Sequence, residues 1–309
     1  MMEKLPEQFI VNRDLAIARQ SGAPVVALES AVITHGLPRP ENLALAQEME
    51  SIVRENGAVP ATIALLEGRI RIGLTEDELL RLAGLENTRK ISLRDFGIAL
   101  AGGLSGGTTV AATLFAAEKA GVKVFATGGI GGVHRGSTFD ISADLPQLGR
   151  SKLVVVCAGA KAILDLPATR EYLETQGVPV IGYQTDEFPA FYTPHSGLKV
   201  DHTVDSPEQA AEIARQAWSA GLSSAILLVV PPPEETISGE EIETAIQAAL
   251  DETQQAGIHG AEATPYLLNR VSQLTAGRSK LANLALLKNN ARVAAQVAAA
   301  LEGPIGKRV

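Results

Sequence analysis

The feature that most restricts this chain is a recurring alternation. Short aliphatic runs, Pro24–Leu28 (PVVAL), Val122–Ala126 (VKVFA), Leu153–Cys157 (LVVVC), Pro179–Tyr183 (PVIGY) and Ala225–Val230 (AILLVV), are separated by stretches of helical period. Apolar runs of this length read as strands buried on both faces, with the helices between them acting as crossovers. The alternation predicts an α/β fold, a single-domain α/β/α arrangement with a mixed, largely parallel sheet. Helices are expected over Glu41–Asn56, Thr108–Ala120, Leu164–Gln176, Ser206–Ala220, Gly239–Ala256 and Asn283–Ala300. Glu67–Gly68, between Ala61–Leu66 and Arg69–Leu74, is a hairpin signal, so part of the sheet is expected to be antiparallel. There is no linker, repeat or low-complexity tract, and Pro231–Pro233 reads as a rigid turn. Residues 1–309 therefore read as one domain, with a small lobe around the hairpin as the alternative.

Composition narrows the partners. With 309 residues, 46% of them hydrophobic, the chain can bury a large core. A net charge of -8 and only 4% aromatic residues argue against a nucleic acid polymer as partner. Cys157 is the single cysteine, which suits a reducing compartment. The opening residues carry no signal-peptide pattern, and no apolar run reaches bilayer length. A cytoplasmic protein that takes a small-molecule substrate and meets no membrane is the expectation.

Polar and glycine-rich segments follow the strands, where α/β sheets bind ligands. Glu29 follows PVVAL and opens the run ESAVITHGLP. A desolvated carboxyl there would be a useful acid; a carboxylate paired with a nearby base is the plainer alternative. Gly102–Val110, which includes Thr108 and Thr109, is expected to open a helix and offer backbone N–H groups to an anion, or simply to let a helix pack closely. Thr127–Gly136 is a denser glycine run ending in His134 and Arg135, a candidate acid–base group and a candidate phosphate fork. In Phe139–Asp144, Asp140, Ser142 and Asp144 offer the hard oxygens that suit Mg²⁺ or Mn²⁺, with helix capping by Asp144 as the alternative. Lys161 follows LVVVC and is expected at the start of the next helix, where the dipole disfavours a cation. A neutral amine there is a nucleophile for a sugar carbonyl; an unreactive anion-binding lysine is the equal alternative. No Ser-His-Asp pattern and no zinc spacing is present, and His202 and His259 are expected at the surface or behind the site.

The stretches ALESAVITHGLPRPENL, KISLRDF, GGTTVAATL, VFATGGIGGVHRG, TFDISADL, VVVCAGAKAILDLPATREYLET and VPVIGYQTDEFPAFY occur in this order, followed by ATPYLLNRV and NLALLKNNA. Together they resemble the pseudouridine-5'-phosphate glycosidase family over roughly residues 8 to 300. The resemblance implies Glu29 as proton donor and Lys161 as nucleophile. It implies substrate-binding roles for Lys90, Thr109, Val110, Ser142, Ala143 and Asp144, with His134 and Asn283 as further pocket residues. Asp140 resembles a manganese ligand acting mostly through waters, so one Mn²⁺ per subunit is implied, and Mg²⁺ suits the same oxygen. The family also implies a homotrimer. Ala31-Val32 depart from the threonine and branched residue that relatives often carry after the ALES motif, and the chain has no room for the sugar-kinase domain fused to some relatives.

The implied reaction is reversible cleavage of the C–C glycosidic bond of pseudouridine 5'-phosphate to uracil and ribose 5-phosphate. A carbanion is a poor leaving group. In the implied route Glu29 therefore opens the furanose, Lys161 bonds to C1', and uracil departs from a covalent lysine–ribose intermediate. The alternatives are a Schiff-base aldolase acting on another sugar phosphate and a non-catalytic sugar-phosphate sensor.

Overall fold

The computed structural model describes residues 5–136, 139–233, 237–258 and 263–303. The first half runs β1 (Phe9–Val11), α1 (Arg13–Ser21), β2 (Val25–Leu28), a π-helical turn (Val32–Gly36), α2 (Glu41–Glu55), β3 (Val59–Leu66) and β4 (Arg69–Ile72). Next come α3 (Glu76–Gly84), β5 (Arg89–Ile91), α4 (Phe96–Ala101), β6 (Gly106–Thr108), α5 (Val110–Lys119), β7 (Val124–Ala126) and β8 (Val133–His134). Then follow α6 (Asp144–Leu148), β9 (Val154–Cys157), β10 (Leu164–Asp165), α7 (Leu166–Thr175), β11 (Val180–Tyr183) and β12 (His202–Val204). The chain closes with α8 (Pro207–Ser219), β13 (Ile226–Val229), α9 (Gly239–Gln255), α10 (Ala263–Leu274) and α11 (Arg278–Glu302).

Among the described residues, eleven strands form one sheet in the order β1-β4-β3-β2-β7-β9-β13-β11-β12, with β6 also on β3 and β5 on β6. All neighbours are parallel except β3–β4 and β3–β6. Helices cover both sides of the sheet. The hairpin turns on Glu67 (φ 50°) and Gly68 (φ 68°), the left-handed pair that a two-residue turn requires. Its strand β3 pairs in parallel with β2, so the hairpin belongs to the main sheet rather than to a separate lobe.

The aliphatic runs supply the core. Val26, Ala27, Phe125, Val154, Val155, Val156 and Leu227 are all fully buried. Each large apolar side chain buried in this way contributes roughly 1.5–3 kcal/mol relative to exposure. Helix starts are fixed by local chemistry. Thr75 and Glu78 form a reciprocal capping box on α3, and Ser206 caps α8, which has Pro at its first turn. The long helix α11 lies along β2, β7 and β9 and against α2 and α8, while α5 packs on β2, β3, β4 and β6. Among the described residues, no helix is long and apolar enough to cross a membrane.

Register is what builds a site. Leu28 pairs with Ala126, and Ala126 with Val156. The next residues, Glu29, Thr127 and Cys157, therefore stand level at the carboxyl edge of three adjacent parallel strands.

Candidate active site

A cavity of about 1000 Å³ opens at that edge. Glu29, Lys90, Thr109, Val110 and His134 line it, as do Ser142, Ala143, Asp144, Lys161 and Asn283. Residues from positions 29 to 283 thus converge on one space. Asp140, the expected metal ligand, is not among the lining residues.

Glu29 is set by β2, whose buried strand delivers its carboxyl to the cavity. The Thr127 hydroxyl donates to Glu29 Oε1. Burial pushes the Glu29 carboxyl above the usual carboxylate range, against the opposing pull of the Lys161 charge and the Thr127 hydrogen bond. Asp144 adds to the rise and Lys90 opposes it. A carboxyl so placed keeps its proton closer to neutral pH, as a general acid requires.

Lys161 is placed differently from the sequence expectation. It does not start a helix: α7 begins at Leu166, after a turn and the short strand β10, and Asp165 caps it by accepting from Ala168 N at 2.9 Å. The helix-dipole argument therefore does not apply to this amine. Instead, the loops after β7 and β9 continue the parallel ladder beyond the sheet. Ala158 N donates to Gly128 O at 2.9 Å, Ile130 N to Gly159 O at 3.0 Å, and Lys161 N to Ile130 O at 3.1 Å. The zipped loops hold Lys161 so that its Nζ donates to Gly129 O at 2.8 Å. Gly159 sits at φ 83°, and a Cβ there would overlap the Pro189 carbonyl.

Lys90 comes from β5. Burial, and then the Lys161 charge, push its ammonium below the usual lysine range, while Asp144 and Glu29 pull it back. His35 also lines the cavity from the π-helical turn, with Nδ1 2.7 Å from Thr34 Oγ1. Burial, followed by Lys90, lowers its pKa, which favours the neutral ring.

Glycines in both runs permit close packing, and Gly128, Gly129 and Gly131 also line the cavity. Gly106 and Gly107 lie in β6, and α5 starts only at Val110. A Cβ at Gly106 would overlap the Arg89 carbonyl, and one at Gly107 the Ser30 carbonyl. The N-terminus of α5, expected to receive an anion, already has one. Thr109 caps it by accepting from Ala112 N at 3.4 Å, and Ala111 N donates to Asp144 Oδ1 at 2.8 Å. The other Asp144 oxygen accepts from Gly131 N at 2.8 Å. Asp144 thus lines the cavity while clamping the glycine run to α5, and it carries a fixed negative charge beside Glu29 and Lys90.

Arg135 turns away from the cavity. Both of its terminal nitrogens donate to Glu243 of α9, Nε donates to Leu164 O at 3.1 Å, and Nη2 also donates to Ala162 O at 2.9 Å. With these partners it lines a second cavity of about 480 Å³ and is no phosphate fork for the first. His134 Nδ1 lies 4.0 Å from Asp140 Oδ2, and the Asp140 side chain is 46% exposed. Among the described residues, no group of three or more His, Cys, Asp or Glu side chains is placed to hold a metal ion. A lone carboxylate fits only a hard cation that keeps most of its water. His202 is exposed, as expected, and His259 lies outside the described residues.

Several neighbours of the site make contacts that no local sequence pattern shows. Asn290 of α11 donates to Thr127 O at 2.8 Å and to Gly128 O at 3.3 Å. Phe191 adopts φ 65°, and its ring closes over Gly129. Tyr266 and Asn269 of α10 complete the wall beside Asn283. The only local sign was that Thr127 stands first after a strand; Asn290 acts across 163 positions.

Residues 14–300 match the family described as indigoidine synthase A like protein. A protein of Caldanaerobacter subterraneus subsp. tengcongensis named pseudouridine-5'-phosphate glycosidase is 53% identical over 294 residues, which cover 94% of this chain and 96% of that protein. The crystal structure of the prealnumycin C-glycosynthase AlnA in complex with ribulose 5-phosphate superposes with a TM-score of 0.88 at 42% identity, covering 96% of this chain and 98% of that one. An indigoidine synthase A-like protein from Thermotoga maritima superposes with a TM-score of 0.89 at 36% identity, covering 98% and 100%.

Proposed function

This chain belongs to the indigoidine synthase A like family, and from that premise we propose that it reversibly cleaves pseudouridine 5'-phosphate to uracil and ribose 5-phosphate. The observation that carries the reading is one cavity faced by a buried carboxyl whose pKa is raised by desolvation, Glu29, and an amine fixed by Gly129, Lys161. The name of the 53% identical relative supports the reaction. The sugar phosphate bound by the related C-glycosynthase, an isomer of ribose 5-phosphate, supports the ligand class.

The chemistry follows from the bond. Glu29 gives its proton to the ring oxygen as the C1'–O4' bond breaks. The Lys161 amine adds to C1', and the proton it sheds returns to the Glu29 carboxylate. That proton passes to C5 of uracil as the C1'–C5 bond breaks, and the nitrogen lone pair becomes the C=N bond of an iminium. Water adds to the iminium and releases the ribose 5-phosphate aldehyde and the lysine. Acid help of this kind is worth roughly 10²–10⁴-fold. Lys90, already partly desolvated, would gain a counter-charge from the substrate's phosphate, or a hydrogen-bond acceptor from a sugar hydroxyl.

Asp140, with His134 beside it, would hold a Mn²⁺ or Mg²⁺ ion mostly through waters. The ion, when bound, would offset phosphate charge. Assembly as a trimer in the cytoplasm belongs to the same proposal, and sedimentation tests the assembly.

Borohydride reduction in the presence of ribose 5-phosphate tests the function. The expected result is a ribityl phosphate adduct on Lys161, with uracil released from pseudouridine 5'-phosphate and none released by Lys161→Ala. Adduct without uracil release would indicate the aldolase alternative. No adduct, with uracil production intact in Lys161→Ala, would overturn the mechanism.

A further inference from the structure

We infer that Thr127 is a positioning residue for the acid, held in place by Asn290, and that it selects Oε2 of Glu29 as the oxygen that delivers the proton. The inference rests on the reading of Glu29 as the acid. Thr127 is fully buried and branched at Cβ, so its rotamer has little freedom. Its backbone is fixed on two sides. Its N–H donates to Val156 O at 3.0 Å within the sheet, and its carbonyl accepts from Asn290 Nδ2 at 2.8 Å. The same amide nitrogen reaches Gly128 O at 3.3 Å, so one side chain of α11 grips two successive carbonyls at the end of β7.

Asn290 is 1% exposed, and its Oδ1 is buried with no hydrogen-bond partner. An amide that leaves one end unsatisfied is costly in a core, so its donor end must return something. What it secures is the stretch that carries the Thr127 hydroxyl on one side and, one residue beyond Gly128, the carbonyl that holds Lys161. Both reactive groups are therefore referenced to the same three-residue segment, 127–129.

The hydroxyl has one proton to give, and it gives it to Oε1. Oε1 is then an acceptor facing Thr127, so the transferable proton resides on Oε2. A carboxyl without this anchor would rotate about its last torsion and present either oxygen, which dilutes the productive geometry. The charges facing Glu29 are Lys161, Asp144 and Lys90, and none of them is on the strand that carries Thr127.

The test compares Thr127→Val, Thr127→Ser and Glu29→Gln in the full-length protein, reading kcat across pH for uracil release, with circular dichroism and thermal melts as the check on folding. Thr127→Val should lower kcat by about 10²-fold. Its alkaline limb should move to higher pH, because a hydrogen bond favouring the carboxylate is gone; Thr127→Ser should restore both. Thr127→Val with wild-type kcat and an unmoved limb, alongside an inactive Glu29→Gln, would overturn the positioning role while leaving the acid in place. An active Glu29→Gln would instead remove the reading of Glu29 on which the role rests. If Thr127→Val does not fold, Thr127→Ala is read in its place by the same criteria.

Discussion

Lys161 Nζ donates to the carbonyl of Gly129 at 2.8 Å, so the amine's position is set by a residue that has no side chain. A Cβ at Gly129 would stand 2.6 Å from Phe191 Cδ2 and 3.0 Å from the Gly159 carbonyl. Neither can easily yield: Phe191 is 1% exposed and already in the left-handed region, and Gly159 is zipped to Ile130. Gly129→Ala should therefore shift the carbonyl that orients the amine. We expect kcat to fall by about 10²-fold, with a loss of roughly 1–3 kcal/mol from overpacking. Uracil-release kinetics and urea unfolding of the variant measure the two effects separately.

Behind the acid lies a hydroxyl network that is purely structural. Ser30 Oγ donates to Ile63 O at 2.5 Å and accepts from Thr108 N at 3.0 Å, while Thr108 Oγ1 donates to the same Ile63 carbonyl at 2.7 Å. Both side chains are fully buried. Ser30→Ala leaves the Ile63 carbonyl with its second partner but strands the Thr108 N–H. The expected cost is about 1–3 kcal/mol, visible as a lower urea midpoint with unchanged m-value.

The sheet was legible because its strands announce themselves. PVVAL, LVVVC and AILLVV have no polar residue to turn outward, and Glu67–Gly68 tolerates the positive φ of a tight hairpin. The candidate acid and amine, Glu29 and Lys161, were legible as residue types stranded after those runs. What failed was the use of local pattern where long-range packing decides. Lys161 was placed on a helix because the segment after it is helical in period, yet Asp165 caps that helix and the intervening turn is tied to Arg135. Arg135 in turn looked like a phosphate fork until α9, about a hundred positions away, supplied Glu243. The glycine runs suggested anion binding, but close approach of backbone and side chains explains Gly106, Gly107, Gly131 and Gly132. Short edge strands such as β5 and β12 carry no periodicity of their own.

Cys157 stands beside Thr127 at the strand ends but has no access to solvent. Burial pushes its thiol up to about 12, outweighing hydrogen bonds from the Gly159 and Ile130 backbones and the charge of Lys161. The thiolate is the reactive form, so both its population and its exposure are suppressed. Native protein at pH 8 should give no prompt reaction with an aromatic disulfide reagent, whereas protein unfolded in urea should react with one equivalent at once. Prompt native labelling would mean that the strand ends open far more readily than the packing implies.

Asp144 couples stability to the pH response of the acid. Its two oxygens accept from Ala111 N and Gly131 N, each at 2.8 Å, and its charge raises the pKa of Glu29. Asp144→Asn replaces one acceptor with an amide that must face a backbone N–H. One buried donor is then unsatisfied, at about 1–3 kcal/mol. The electrostatic sign is separate and opposite to that of losing a cation. Without the neighbouring anion, Glu29 ionises at lower pH, and the protonated form proposed to open the furanose is lost sooner as pH rises. The alkaline limb of kcat should therefore move down in Asp144→Asn. Lys90→Met should move it up, because Lys90 favours the Glu29 carboxylate. Limbs that shift in opposite directions in the two variants would place the titrating acid between them; shifts of the same sign would mean that another group controls that limb.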